Sequence, residues 1–451
     1  MRGVVGLLVL LLTLTPAPAP AAQHAPGDLG AWWDRNHADL PLPPLIAHAD
    51  VEARLKQVAA SDPAFFRLAE IGRSVEGRAL YHLAFGRGAF PVLLWSQMHG
   101  DEPTATRALF DLVAYLHAGR ARPEVTRILD ALTIHVVPML NPDGAARFQR
   151  RNAQGIDINR DALMLQTPEG RALKALRDRL EPRLGFNLHN QNWRTSVAES
   201  GRPASISLLA VAYDEARSDN PGRLLAKKVA GIIRDAVEAS MPGQVAKYDD
   251  TFEPRAFGDN LTKWGTPVVL IETGPHQDRR PDVPLVRVNF VALVLALDAL
   301  ATGRAESATT DAYESLPFNG SSVLYQLVRR ARIVMGNGVP PFLADIGITG
   351  TRAVRGEGAA RRVVVVKRID EWGDLSVFGA LEVIDGTSLT AAPLWREDLA
   401  QGMTVTLPDF AAAPAKTPLG PSQPANLVLL RPLDDGRFRV ERVIRAEEEG
   451  R

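Results

Sequence analysis

Between residues 80 and 301 the chain alternates short, continuously apolar runs with longer stretches whose apolar residues recur at helical spacing. The runs cover 80–85, 92–98, 132–140, 184–189, 207–213 and 268–272; the helical stretches cover 102–117, 170–180, 223–239 and 285–301. In the first of these, Ala105, Ala108, Leu109, Leu112, Val113 and Leu116 follow one another at three- and four-residue steps. A run without polar alternation is a strand covered on both faces. Strands alternating with helices predict an α/β domain in which a sheet carries helical layers on both sides.

Two of these runs end in metal-ligating side chains. Residues 91–98 lead directly into His99-Gly100-Asp101-Glu102, and residues 183–188 deliver His189. A strand that ends in such a residue places it at the carboxyl edge of the sheet, where open α/β sheets hold their ligands. Imidazole, carboxylate and imidazole form the donor set of a catalytic zinc, with one tetrahedral position left open. The His-x-x-Glu spacing alone is weak, because a strand-end histidine followed by a first-turn helix carboxylate produces it equally well. A second strand ending in His189 turns the spacing into a candidate site.

A third run, 134–140, enters the turn Asn141-Pro142-Asp143-Gly144. After it come Arg147, Arg150, Arg151, Asn152, Gly155, Asp157, Asn159 and Arg160, and the run 268–271 ends in Glu272. His-x-x-Glu, Asn-Pro-Asp-Gly, Arg-x-Asn-x-x-Gly-x-Asp-x-Asn-Arg, a strand-end His and a strand-end Glu, in this order, resemble the carboxypeptidase A-type zinc metallopeptidases. The resemblance covers the α/β region only. It implies a mixed, mostly parallel sheet, one Zn2+ per chain held by His99, Glu102 and His189, and Asp157 orienting His99 from behind. It further implies that Arg150 stabilises the oxyanion and that Asn159 and Arg160 hold the substrate's free carboxylate. Glu272 would be the general base that takes a proton from the attacking water and returns it to the leaving amine. Arg147 and Arg151 compete with Arg150 for its role, and their ordinary reading is solvated loop charge. Tyr248 stands where the family carries a mobile tyrosine, although its flanking residues do not match. Asp161, directly after Arg160, adds a negative charge beside the carboxylate clamp and departs from the pattern.

The ends and the composition limit what surrounds this site. Arg2, the apolar stretch 4–14 and the small residues 17–22 read as an export signal over residues 1–22. The expected location is therefore periplasmic or secreted. The apolar stretch is too short for a stable membrane helix, and no other segment is expected to approach a membrane span. With no Cys, thiol catalysis, disulfide staples and a lipid anchor on cysteine are excluded. Lys plus Arg and Asp plus Glu both number 52, so no global field favours nucleic acid or an anionic membrane. Length predicts more than one folding unit. The expected division is a catalytic domain over 23–304, a linker over 305–321 and a small β-rich C-terminal domain over 322–451. That last domain is read as opening with a helix at 322–332 and continuing through strands at 363–366, 375–383, 403–407, 427–430 and 438–443. Trp32, Trp33, Phe65, Phe66 and Leu68 make the segment before residue 75 part of the fold.

The expected function is hydrolysis of a peptide's C-terminal amide. The same metal site could instead serve a murein peptide amidase or an N-acyl amino acid deacylase. A non-catalytic carboxylate-binding module is the alternative of a different class, and it predicts loss of the base or of a ligand. A Gly-x-Ser-x-Gly elbow and a P-loop are both absent.

Overall fold

The computed structural model describes residues 24–37, 45–276 and 282–449. The expected export signal lies outside them. The first sheet contains β1 (Arg67–Arg73), β2 (Ala79–Gly86), β3 (Phe90–Ser96), β4 (Leu132–Val137) and β5 (Leu184–Asn190). After a two-residue strand outside it, β6 (Ser196–Val197), come β7 (Ile206–Ala210), β8 (Val245–Lys247) and β9 (Val268–Thr273). The order across the sheet is β1-β2-β4-β3-β5-β9-β7-β8. The four central strands β4, β3, β5 and β9 run parallel, and antiparallel pairing begins at β2 on one side and β7 on the other. The sheet is mixed with a parallel centre, as the sequence resemblance implies.

Strand side chains alternate between two helical layers. Val92 and Leu94 of β3, Phe186 of β5 and Ile271 of β9 pack on the larger layer. That layer consists of α1 (Pro26–Asn36), α2 (His48–Ser61), α3 (Thr104–Ala118), α4 (Pro123–Ala131), α7 (Pro221–Glu238) and α9 (Asp282–Ala301). Leu93 and Trp95, with Val268 and Leu270, face the other side, covered by α6 (Pro168–Leu180) and α8 (Phe257–Lys263). The short α5 (Pro142–Arg147) lies at the carboxyl edge. Trp33 and Phe66 are buried, and Trp32 stacks on Phe290, so the segment before residue 75 belongs to this core. One expectation is corrected at α9. Its stretch Val283–Ala301 is long and apolar enough to cross a membrane, yet 83% of the window is buried among the helices around it.

Residues 304–320 hold α10 (Arg304–Ser307), α11 (Asp311–Glu314) and β10 (Asn319–Gly320), which pairs antiparallel with β6. Within this connection Tyr313 is buried, and its hydroxyl accepts from the Ala210 N–H at 3.1 Å. A second sheet follows: β11 (Val323–Ile333), β12 (Phe342–Arg355), β13 (Arg362–Gly373), β14 (Gly379–Asp385), β15 (Thr390–Pro393), β16 (Thr404–Val405), β17 (Leu427–Pro432), β18 (Phe438–Ile444) and β19 (Glu447–Glu449). The helix expected over 322–332 is the strand β11 instead. Leu324, Leu327, Val328 and Ala331 have helical spacing, but the segment from Val323 to Val328 is buried throughout. β11 pairs with β12 on one edge and β14 on the other, and that pairing overrides local periodicity.

Candidate active site

Asn187, His189, Leu270 and Glu272 occupy alternate positions on the side of the sheet that α6 and α8 cover, and in the ladder His189 lies opposite Glu272. The two residues thus leave adjacent parallel strands at one level. His99 arrives from β3, the next strand over, through a tight loop. Gln97 takes a left-handed backbone (φ 51°), a conformation few non-glycine residues hold without local support. Its amide supplies that support, donating to the Gly100 carbonyl at 3.0 Å and accepting from the Thr106 hydroxyl at 2.9 Å. Gly100 lies against the backbone of Gly144 and Ala145, where any side chain would overlap main-chain atoms. The Asn-Pro-Asp-Gly turn is therefore the bed on which the His99 loop rests. Asn141 ties it together: its oxygen caps α5 at the Gly144 N–H (2.8 Å), and its NH2 donates to the carbonyls of Met98 and Arg150 (3.2 Å each).

The three expected ligands converge. His99 Nδ1 lies 2.8 Å from Glu102 Oε1, His189 Nδ1 lies 2.7 Å from Glu102 Oε2, and the two Nδ1 atoms are 3.1 Å apart. All three side chains are buried. The two imidazole nitrogens and the Glu102 carboxylate crowd together in a buried site, and a positive centre among these atoms suits them. Two nitrogens and a carboxylate oxygen are donors zinc takes. Asp157 sets the tautomer: its Oδ1 accepts from His99 Nε2 at 3.1 Å, which turns Nδ1 toward Glu102. The other Asp157 oxygen takes the Arg150 fork at 3.0 and 2.9 Å, and Arg150 Nη1 then reaches to 3.1 Å from His99 Nδ1.

Burial works to raise the carboxyls of Glu102 and Asp157. The imidazoles beside Glu102, and His99 with Arg150 beside Asp157, outweigh it and hold both well below the usual range. Burial also disfavours charge on His99, yet Glu102 and Asp157 lift its pKa to about 9. At Glu272 the pull of His99, Arg150 and Arg160 is the weaker effect. Burial, and then the charge on Glu102, push its carboxyl up to about 8.

A cavity of about 540 Å³ joins these groups to the rest of the expected site. His99, Glu102, Arg150, Asn159, Arg160, Tyr248 and Glu272 all line it. Asn159 gives its amide oxygen to the Phe257 N–H at 3.0 Å, leaving its NH2 as the group it can offer a ligand. Arg160 contacts Glu253 at 3.4 Å and is about one-third exposed (37%). Glu272 and then burial raise the Tyr248 phenol to about 12, keeping it a hydrogen-bond donor at neutral pH.

Residues 51–201 match the family model described as zinc carboxypeptidase. This segment is similar to the zinc carboxypeptidases. It is similar to carboxypeptidase M of Mus musculus, 35% identical over 128 residues, which are 25% of this chain and 29% of that one. It is also similar to carboxypeptidase E of Caenorhabditis elegans, 34% identical over 134 residues, 25% of this chain and 28% of the other. The match thus spans less than a third of these relatives. Among solved structures, a metallo-carboxypeptidase from Burkholderia cenocepacia shares 19% identity at a TM-score of 0.46, covering 57% of this chain and 69% of its own.

Within the matched segment the three neighbouring arginines separate. Arg150 turns to the metal ligands, Arg147 pairs with Glu76, and Arg151 donates to the Gly155 carbonyl at 3.1 Å on the surface. Asp161 does not temper Arg160. It is buried, and its oxygens accept from Gln166 N, Thr167 N and the Thr167 hydroxyl at 2.9, 2.7 and 2.7 Å, closing the turn before α6. The acid beside Arg160 is Glu253, which sequence reading passed over. It also missed Asn187 and Asp259. Asn187 is buried with Oδ1 unpartnered, and Leu209 and Leu270, its neighbours along the ladder, line the cavity with it. Asp259 of α8 also lines the cavity, and burial lifts its carboxyl to about 7. An amide two residues before His189 shares its strand face, so period-two reading could have found Asn187; nothing local distinguishes Asp259.

Proposed function

We propose that the protein is a metallocarboxypeptidase that removes the C-terminal residue of peptides, with one zinc per chain. The observation that carries this reading is the single cavity in which His99, Glu102, Glu272 and Arg160 meet, with His189 closing the ligand set behind. Zinc held by His99, Glu102 and His189 would polarise the scissile carbonyl and make water acidic enough to ionise near neutral pH. Arg160 and the Asn159 NH2 hold the terminal carboxylate, fixing which amide is presented. Glu272 accepts a proton from the attacking water and delivers it to the leaving amine nitrogen. Arg150, locked by Asp157, donates to the oxygen on which negative charge develops. The floor formed by Leu209 and Leu270 takes the stem of the terminal side chain, while the acceptors on Asn187 and Asp259 favour a tip carrying N–H donors.

The test is a peptide-library digest read by mass spectrometry, with metal content measured on the same preparation. Stepwise loss of single C-terminal residues, absent from Glu272→Gln, is the expected result. Internal cleavage, or equal activity in Glu272→Gln, overturns it. Action confined to muropeptides or N-acyl amino acids would move the substrate class and leave the site chemistry standing. We also propose export to the periplasm or exterior, supported by residues 1–22; N-terminal sequencing of protein recovered from those fractions tests it.

A further inference from the structure

The two sheets meet along the segment that follows His189. Trp193 stacks on Tyr325 of β11 (centroids 5.1 Å apart, 15° between planes), and Arg194 pairs with Asp370 of β13. A cavity of about 510 Å³ beside the first has Trp193 and Arg352 in its wall. The connection 304–320 makes a second junction, and it reaches the candidate site from the sheet's edge. That edge is β8, three residues long and paired with β7. So short an edge strand has little of its own to hold it in place. The connection supplies the rest. The Lys247 N–H donates to the Pro317 carbonyl at 2.7 Å, and the Lys247 side chain is buried in a cage. Its ammonium donates to the carbonyl and the carboxylate of Glu314 at 3.2 Å each, and lies 4.8 and 5.3 Å from the ring centres of Tyr313 and Phe318. A buried ammonium is tolerated only where it is paired, so the cage decides where Lys247 lies. Glu314 is fixed in turn by Lys227 of α7 at 2.7 Å.

The next residue is Tyr248. Its N–H donates to the Leu208 carbonyl of β7 at 2.9 Å, so two successive amides are bonded, one to the connection and one to the sheet. Lys247 stands level with Leu208, which belongs to the core under α7. In extended backbone the following side chain takes the opposite face. That face carries Leu209 and Leu270, and Tyr248 packs against their cluster and lines the 540 Å³ cavity with Arg160 and Glu272. Anchoring Lys247 on one side of the sheet therefore aims Tyr248 at the other. We propose that Lys247 and Glu314 are positioning residues, through which the connection between the two sheets holds the Tyr248 phenol in the cavity before substrate arrives, as a ready hydrogen-bond donor to the bound peptide. This inference rests on the carboxypeptidase reading.

The test uses the full-length, zinc-loaded protein and an N-blocked tripeptide. A side chain that must be ordered on binding lowers apparent affinity by the fraction of time it is out of place. Glu314→Gln and Lys247→Met should therefore each lower kcat/KM about threefold to tenfold, with zinc content unchanged. Tyr248→Phe should lower it at least as far. Added to Tyr248→Phe, neither substitution should lower it further, because the phenol they act through is gone. Losses of equal size with and without Tyr248→Phe mark a general structural defect and overturn the proposal. Fluorine NMR of fluorotyrosine-labelled protein reads the placement without activity, the Tyr248 line being the one absent from Tyr248→Phe. That line should move toward the position of an exposed tyrosine in Lys247→Met and in Glu314→Gln, the second at a side chain already 44% exposed. A line unmoved in both variants overturns the proposal. If wild type releases no terminal residue from any peptide, the carboxypeptidase reading falls, while the fluorine lines still decide whether the connection holds the phenol.

Discussion

His189 and Glu272 lie directly opposite each other in the parallel ladder of β5 and β9. Because neighbouring residues in such a ladder point the same way, one register places the proposed metal ligand and the proposed proton acceptor side by side. Replacing Glu272 with Gln keeps that register and the side-chain shape but removes the base. Activity should fall roughly 10²- to 10⁴-fold with zinc content unchanged, measured by kcat/KM and metal analysis on the same sample. Full zinc with undiminished turnover would remove Glu272 from the chemistry.

Asp157 touches His99 and Arg150 but no donor atom of Glu102 or His189. Asp157→Asn should weaken zinc binding about 10- to 100-fold through loss of the His99 orientation. Competition with a chelator measures it. His189→Ala should bind no catalytic zinc at all, and chelator should lower the Tm of wild type but leave that of His189→Ala unmoved.

Arg160 tests the carboxylate clamp separately from the metal. Arg160→Met should cost about 2 kcal/mol in kcat/KM, roughly 30-fold, the order of a charge-assisted hydrogen bond. A peptide ending in a carboxamide should lose rate with wild type and show no further loss with Arg160→Met. Equal sensitivity to both changes together would place the carboxylate elsewhere.

The Asp259 carboxyl has an ordinary pKa near 3.8, raised by burial to about 7 in the fold. Below about pH 4 the group is protonated in both folded and unfolded chains and contributes nothing. Between about 4 and 7 the unfolded chain releases the proton while the folded one retains it, so stability falls as pH rises. The penalty is complete above pH 7. Asp259→Asn keeps an acceptor for the Glu253 N–H, which lies at 2.9 Å, and should be more stable than wild type at pH 8, by at most about 4 kcal/mol. The gain should vanish near pH 4. Denaturant midpoints at the two pH values read the difference. The same variant should lose preference for terminal lysine or arginine.

The central sheet and the convergence of the candidate ligands were legible because buried strands write themselves as unbroken apolar runs, and His99, His189 and Glu272 close three of them. Arg150, Asn159 and Arg160 were reached through motif order, since loop side chains leave no periodic trace. Two kinds of information were missing. Asp161 reads as an acid beside Arg160, but three donors within six residues draw it away. β11 has helical spacing in its own residues and becomes a strand through partners 9 to 56 residues distant, most of which no local window contains. Arg352 and Trp193 share a cavity wall although 159 positions separate them, and their juxtaposition depends on how the two sheets dock.

The chain passes from one sheet to the other through the β6–β10 ladder, not through a tether. Ala198 donates to the Phe318 carbonyl at 2.9 Å, and the Lys247 N–H to the Pro317 carbonyl at 2.7 Å, so the crossing is hydrogen-bonded into the half built on the first sheet. Such a joint has an evolutionary cost. A recombination event that exchanged the second sheet for another module would have to preserve a strand pairing, an aromatic stack and an ion pair at once. The two halves are therefore expected to have been inherited and refined together, as one heritable unit.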